Sequence, residues 1–269
     1  MPTARVNGID IAYVRSGAGP RLLFLGGSGQ TLASSAPMVE PFASSFDVVV
    51  HDQRGLGDTS IPPGPYSMAD YAADAAGLLD HLGWPSALVA GVSFGGMVAQ
   101  ELAVTWPHRV ERLALLCTSP GGAGGSSFPL HELEALAPDE RARRAVELLD
   151  TRFTPSWLEA HPDDRALAQF MAQRGSAPRS DDELRGMREQ LAARSHHDVF
   201  ERLHVITSPT LVACGRYDGI APLENGSAIA GRISRAELRV YEGGHAFFAQ
   251  DPAAFADVLA FLGGDPVHG

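Results

Sequence analysis

Gly91-Val92-Ser93-Phe94-Gly95-Gly96 stands between residues 87–92 (ALVAGV), an apolar run of strand character, and residues 97–105 (MVAQELAVT), whose apolar spacing suits a helix. Strand, G-x-S-x-G, helix is the pattern of a tight turn that lifts a serine hydroxyl clear of a sheet edge. The residues two positions either side of the serine must be small because backbones pass close to them. The N–H after the serine lies at a helix N-terminus, where negative charge is favoured. A glycine-rich packing turn could carry the same letters; the flanking strand and helix set the elbow apart, so Ser93 is the candidate nucleophile.

A serine nucleophile needs a base, and the base needs an acid to orient it. Of ten histidines, His245 follows the last predicted strand, in Glu242-Gly243-Gly244-His245-Ala246-Phe247-Phe248. A loop there reaches the carboxyl edge of the sheet. His81, His108, His131, His161 and His268 read as surface or structural residues, and His196, His197 and His204 lie in or near the helical segment described below. Asp218, in Gly215-Arg216-Tyr217-Asp218-Gly219, follows the strand at 210–214. Alone it would read as a turn residue before glycine. The preceding strand end, Thr118-Ser119-Pro120, offers no competing acid, and Ser93, Asp218 and His245 fall at three strand ends in one chain order.

Outward from these residues, short β-rich runs at 9–15, 21–25, 47–51, 87–92 and 110–117 alternate with helical patterns at 67–82 and 97–105. That alternation predicts βαβ units and an α/β fold with a mostly parallel central sheet flanked by helices. Ser67 is a plausible N-cap, with Asp70 three residues on. After Gly121–Gly125 (GGAGG), read as a flexible joint, the chain to about residue 204 is polar and helical, with 11 of the 21 arginines and no convincing strand. Strand character returns at 210–214 and 237–241, and residues 254–262 close the chain as a helix. The expected organisation is a core of residues 1–124 and 205–269, with a helical lid, 125–204, inserted after the sixth strand.

Length and composition fit that fold. The 269 residues are 45% hydrophobic, with 32 acidic and 21 basic residues and a formal net charge of −11. Such a balance repels nucleic acid and anionic membrane surfaces, and the densest basic cluster, Arg141, Arg143 and Arg144, is broken up by Glu140 and Glu147. There is no lysine, which excludes Schiff-base and P-loop chemistry. Cys117 and Cys214 sit in apolar runs with no zinc spacing, so neither a metal nor a cofactor is expected. No apolar run approaches the roughly 18 residues of a membrane span, and the N-terminus lacks an apolar signal core, so a cytoplasmic location is expected. Oligomeric state is left open, a homo-oligomer included.

GVSFGG (91–96), DQRGLGDTS (52–60), GRYDGIAP (215–222) and GGHAFFAQDP (243–252) together resemble the α/β-hydrolase superfamily over essentially the whole chain. The resemblance implies a Ser93 nucleophile, a His245 base and an Asp218 orienter. It also implies an oxyanion hole from the N–H groups of Ser28 and Phe94, with the Ser28 hydroxyl a further candidate donor. The family's usual His-Gly-x is here Gly26-Gly27-Ser28, a departure at the first position. The DQRG segment is architectural in similar proteins, so Asp52 and Arg54 are expected to be structural. Serine at the elbow excludes the aspartate chemistry of the similar dehalogenases.

The triad serves many acyl transfers. A small, mostly apolar ester or lactone is the expected substrate. C–C bond hydrolase, thioesterase, iminopeptidase and cofactor-free haloperoxidase-like activities, or a non-catalytic ligand receptor, are the alternatives. Gly27, Trp157 and Phe247 are the expected substrate contacts, with Phe94, Phe153 and Phe248 as further candidate pocket walls.

Overall fold

The computed structural model describes residues 1–175 and 179–264; His268 and the end of the expected core, 265–269, lie outside the described residues. In chain order the elements are β1 (Thr3–Val6), β2 (Ile9–Ser16), β3 (Arg21–Leu25), α1 (Leu32–Ala43), β4 (Asp47–His51), α2 (Met68–His81), β5 (Ala87–Val92), α3 (Phe94–Thr105) and β6 (Val110–Leu116). Then come α4 (Pro138–Leu149), α5 (Pro155–Ala160), α6 (Pro162–Gly175), α7 (Asp181–Ser195), β7 (Thr210–Gly215), α8 (Leu223–Arg232), β8 (Ala236–Tyr241) and α9 (Pro252–Gly263). No described helix is long and apolar enough to cross a membrane.

The strands form one eight-stranded sheet, ordered β1-β2-β4-β3-β5-β6-β7-β8. Only β1/β2 and β2/β4 pair antiparallel. Two-residue alternation divides the core between the faces. Leu23, Leu25, Val89, Leu113, Leu115 and Val212 pack with α2 and α3. Leu22, Phe24, Leu88, Ala90, Ala114 and Leu211 pack with α1 and α9. Burial on both faces is what a parallel sheet requires, and it explains why the central strands read as continuous apolar runs.

Residues 21–25, 47–51 and 87–92 are strands with the expected bounds, and α2 is capped by Ser67, whose side chain accepts from Asp70 N–H as the capping pattern predicted. Helix α1 was not evident in the sequence, because Pro37 and Pro41 lie inside it. Its N-cap is Thr31, whose N–H donates to Ser34 Oγ at 2.9 Å, and its first N–H, on Leu32, donates to Asp52 Oδ1 at 2.6 Å in a loop twenty residues away. Strand β1 and helix α8 were also missed, and α3 begins at Phe94 rather than residue 97. The GGAGG segment is a packed turn, not a loose joint. A Cβ on Gly121 would lie 1.8 Å from the His197 carbonyl oxygen, and one on Gly124 would lie 2.2 Å from the Phe200 ring.

The loop after β4 is architectural, as the resemblance implied. Arg54 donates through Nε and Nη2 to buried Asp74 at 2.7 and 2.8 Å, tying the loop to α2. Within β4, His51 is 5% exposed and its Nδ1 lacks a hydrogen-bond partner among the described residues. Burial lowers its pKa from 6.5 to about 4. The unfolded chain therefore takes up a proton as pH falls below about 6.5, while the folded chain does so only near 4. Stability should fall as pH drops through that window, by at most about 1.4 kcal/mol per pH unit from this group. Denaturation midpoints across the window should fall less in His51→Asn than in the wild type.

Candidate active site

Ser93 sits at φ 54, ψ −114, outside the regions an L-residue normally adopts. Three glycines make that turn feasible. A Cβ on Gly91 would be 2.4 Å from Gly95 O, one on Gly95 would be 2.1 Å from Leu25 O, and one on Gly96 would be 2.6 Å from Thr118 Cβ. Neighbouring strand ends hold the serine backbone: its N–H donates to Leu116 O at 2.8 Å, and Thr118 Oγ1 donates to its carbonyl at 2.7 Å.

The three residues expected to act together are brought together. His245 Nε2 lies 3.0 Å from Ser93 Oγ, and His245 Nδ1 lies 2.8 Å from Asp218 Oδ2. The other carboxylate oxygen, Oδ1, accepts from the N–H groups of Ile220 and Ala221, both at 2.8 Å. Four bonds thus fix the Asp218 plane and the imidazole edge. The loop before His245 is anchored from the helical segment: His245 N–H donates to Leu149 O at 2.6 Å. Gly244 N–H donates to Gln250 Oε1 at 2.9 Å, and Gln250 Nε2 donates to buried Asp150 at 3.0 Å. Cys117 and Cys214 are buried thiols pushed up by that burial, Cys214 to about 12, so neither is a thiolate at neutral pH.

The loop after β3 lies against the elbow, and a Cβ on Gly27 would be 3.6 Å from Ser93 Cβ. Gly27 N–H donates to Gln30 Oε1 and Gly29 N–H to Gln190 Oε1 of α7, each at 2.8 Å. Gln53 Nε2 donates to Gly26 O at 2.7 Å. Between the two committed amides, Ser28 N–H has no partner among the described residues, and neither does Phe94 N–H. Ser28 Oγ is likewise buried without one. Sequence reasoning missed Gln30, Gln53 and Gln190; an amide side chain gives no signal until the fold shows which N–H it meets.

The aromatic expectations fare differently. Phe247 is fully buried and stacked on Tyr241 at 5.1 Å, so it belongs to the core and offers no surface to a ligand. Phe94 is fully buried, edge-on to Tyr71 at 4.9 Å, leaving only its backbone at the site. Trp157 is occupied by its neighbours: its ring stacks on His161 at 3.8 Å, its Nε1 donates to Asp164, and Arg152 lies over it. Phe153 is buried beside Leu149 and Ala246. His245 instead faces a cavity of about 540 Å³ between α4 and α6, lined by Ala145, Val146, Leu149, Met171 and Ile220 among others. Mostly apolar residues with Arg141, and none of the expected aromatics, form its wall. Among the described residues, no group of three or more His, Cys, Asp and Glu side chains is placed to hold a metal ion.

An eight-stranded, mostly parallel sheet with a strained serine at the end of its central strand defines a class, and the chain belongs to the α/β-hydrolase fold family, whose model matches residues 20–252. It is 29% identical over 238 residues to 3-oxoadipate enol-lactonase 2 of Acinetobacter baylyi, covering 88% of this chain and 85% of that protein. It is 31% identical over 238 residues to the poly(3-hydroxyalkanoate) depolymerase of Ectopseudomonas oleovorans, covering 88% and 82%. The enol-lactonase structure from Burkholderia xenovorans superposes with a TM-score of 0.80 over 98% of this chain and 100% of that one; at 23% identity this is a likeness of fold. The protein is a hydrolase.

Strain at Ser93 gives a test. A non-glycine residue in such a conformation costs of order 1–3 kcal/mol, and alanine keeps the Cβ that causes it. Ser93→Gly should therefore be more stable than Ser93→Ala by about 1 kcal/mol or more in equilibrium denaturation, the reverse of the usual order inside helices and strands.

Proposed function

We propose that the protein is a serine hydrolase that cleaves a small ester or lactone with a mostly apolar acyl part through a covalent acyl-enzyme. The observation that carries this reading is the bonded chain Ser93 Oγ–His245–Asp218, 3.0 and 2.8 Å long. Ser93 Oγ attacks the carbonyl carbon as its proton passes to His245 Nε2. Asp218, on Nδ1, holds the ring's orientation and stabilises the imidazolium. The C–O bond then breaks and His245 returns the proton to the leaving oxygen, which in a lactone stays tethered to the acyl group. Water attacks the acyl-enzyme, giving its proton to His245, and Ser93 is regenerated.

The uncommitted N–H groups of Ser28 and Phe94 are the donors to the developing oxyanion, each worth roughly 3–4 kcal/mol in comparable sites. Gln30 and Gln190 are positioning residues: by occupying the N–H groups of Gly27 and Gly29 they set the loop so that Ser28 N–H faces the site. The mostly apolar cavity beside His245 takes the apolar part of the substrate, within the size range of small-molecule sites. Residues 125–204 act as a lid over residues 1–124 and 205–269. The relatives named as an enol-lactonase and a poly(3-hydroxyalkanoate) depolymerase support an acyl–oxygen bond as the one cleaved. This mechanism calls on no cofactor.

Intact mass after exposure to a fluorophosphonate is the test. One adduct is expected on the wild type and none on Ser93→Ala; a folded wild type that takes up no label would overturn the reading. Gln190→Ala, which releases Gly29 N–H, should lower kcat on an ester substrate by roughly tenfold or more while KM and Tm move far less.

A further inference from the structure

Arg194 lies one turn after Gln190 on α7, is 5% exposed, and lines a cavity of about 250 Å³ with Met97, Ser119, Ser126 and His197. One of its nitrogens is used: Nη1 donates to the Phe128 carbonyl at 2.7 Å. The opposite edge, Nε and Nη2, is buried with no hydrogen-bond partner among the described residues.

That edge is the one three other arginines of this protein use for carboxylates, while Arg202 holds Glu101 through Nη1 and Nη2. Arg54 grips Asp74, Arg15 grips Asp47 and Arg152 grips Asp150, each through Nε and Nη2 at 2.6–2.9 Å. The parallel N–H pair matches the two oxygens of a carboxylate. A buried guanidinium without a counter-charge is strongly unfavourable, and burial pulls Arg194 down to about 10. Asp218, the acid whose charge opposes that shift, has both oxygens committed to His245, Ile220 and Ala221.

The cavity's lining is tied to the backbone of the serine. Met97 N–H donates to Ser93 O, as does Thr118 Oγ1, next to Ser119. On the other side, Phe128 N–H donates to Ile220 O, and Ile220 N–H donates to Asp218. His197 is 5% exposed. Burial, with Arg202 and Arg194 nearby, lowers it to about 3 against an opposing contribution from the Ser119 backbone, so it is neutral at working pH. Arg194 is the one arginine of the lining, and its free fork is suited to a carboxylate.

We propose that Arg194 binds a carboxylate of the substrate, so that the ester or lactone opened at Ser93 carries a free carboxylate on one limb. This rests on the serine-hydrolase reading above. The apolar part of the substrate lies between α4 and α6, and the acidic limb runs under the C-terminal end of α7.

The test compares p-nitrophenyl pentanoate with mono-p-nitrophenyl glutarate, acyl groups of equal length of which only the second ends in a carboxylate. Wild-type kcat/KM should favour the glutarate ester. Arg194→Met should reduce that preference by between about ten- and a hundredfold, chiefly through KM. Arg194→Lys, keeping the charge but losing the fork, should recover only part of it. Should Arg194→Met not fold, wild-type inhibition decides: glutarate, and not glutaramide, should compete with p-nitrophenyl pentanoate. No wild-type preference for the acidic ester, a preference unchanged in a folded Arg194→Met, or equal or no inhibition by the two diacid derivatives would overturn the assignment. Fluorophosphonate labelling separates the two readings. An unlabelled wild type fails the hydrolase itself, whereas a labelled enzyme indifferent to the carboxylate fails only Arg194.

Discussion

The approach of Gly95 to the chain end of β3 is the constraint on which the site depends. Strands β3 and β5 pair in parallel with Leu25 opposite Gly91, so their carboxyl ends are level and their loops leave the sheet side by side. With no side chain at Gly95, the start of α3 settles against the carbonyls of Leu25 and Gly26. Each of the two loops then carries one backbone N–H, of Ser28 and of Phe94, with no partner among the described residues. The strain at Ser93 is sustained because Leu116 and Thr118 hold its backbone from β6 and the residues after it. An isolated strand-turn-helix of this sequence would have nothing to hold it so.

The segment between β6 and β7 helps to hold this arrangement. Leu149 and Asp150, at the end of α4, hold the loop that carries His245, and Gln190 of α7 holds the loop that carries Ser28. Arg185 of α7 donates to the carbonyls of Ile61 and Pro62, fastening the same helix to the loop beyond β4. Its small apolar cluster of Leu149, Phe153 and Ala168 includes Ala246, the residue after His245. Packing of the helical segment and placement of the imidazole are thus one problem, solved by the same side chains.

What the sequence disclosed, and what it did not, follows from the range of the interactions. Ser93, Asp218 and His245 were legible because each sits in a turn whose neighbours are dictated locally, by close backbone passage or by helix and strand ends. Helix α1 was hidden because Pro37 and Pro41 argue against it, while Asp52, which accepts from its first N–H, is remote in sequence. Phe247 does not fit the expected substrate contact for a related reason. An aromatic residue near the candidate histidine has the same letters whether its ring faces a ligand or, as here, Tyr241. GGAGG suggested looseness, since glycine's freedom and its small size are indistinguishable in a string; Gly124 is there for size, and Gly121 for size together with its φ of 73. Gln30, Gln190 and Arg194 carry no local signature, because an amide or guanidinium acquires its task only from the partner the fold delivers, or withholds.

The clamps from α4 and α7 also bear on how such a chain can be reshuffled. A recombination crossover within the packed turn at 121–125, or in the segment just before β7, would exchange the helices between two related proteins as a neat block. The loops after β3 and β8 would stay behind. Gln190 and Leu149 would leave with the block, and Gly29 and His245 would meet whatever the incoming helices offered. Exchange at these joints therefore disturbs the reaction geometry along with the pocket. Helices and loops are inherited successfully only as a matched set.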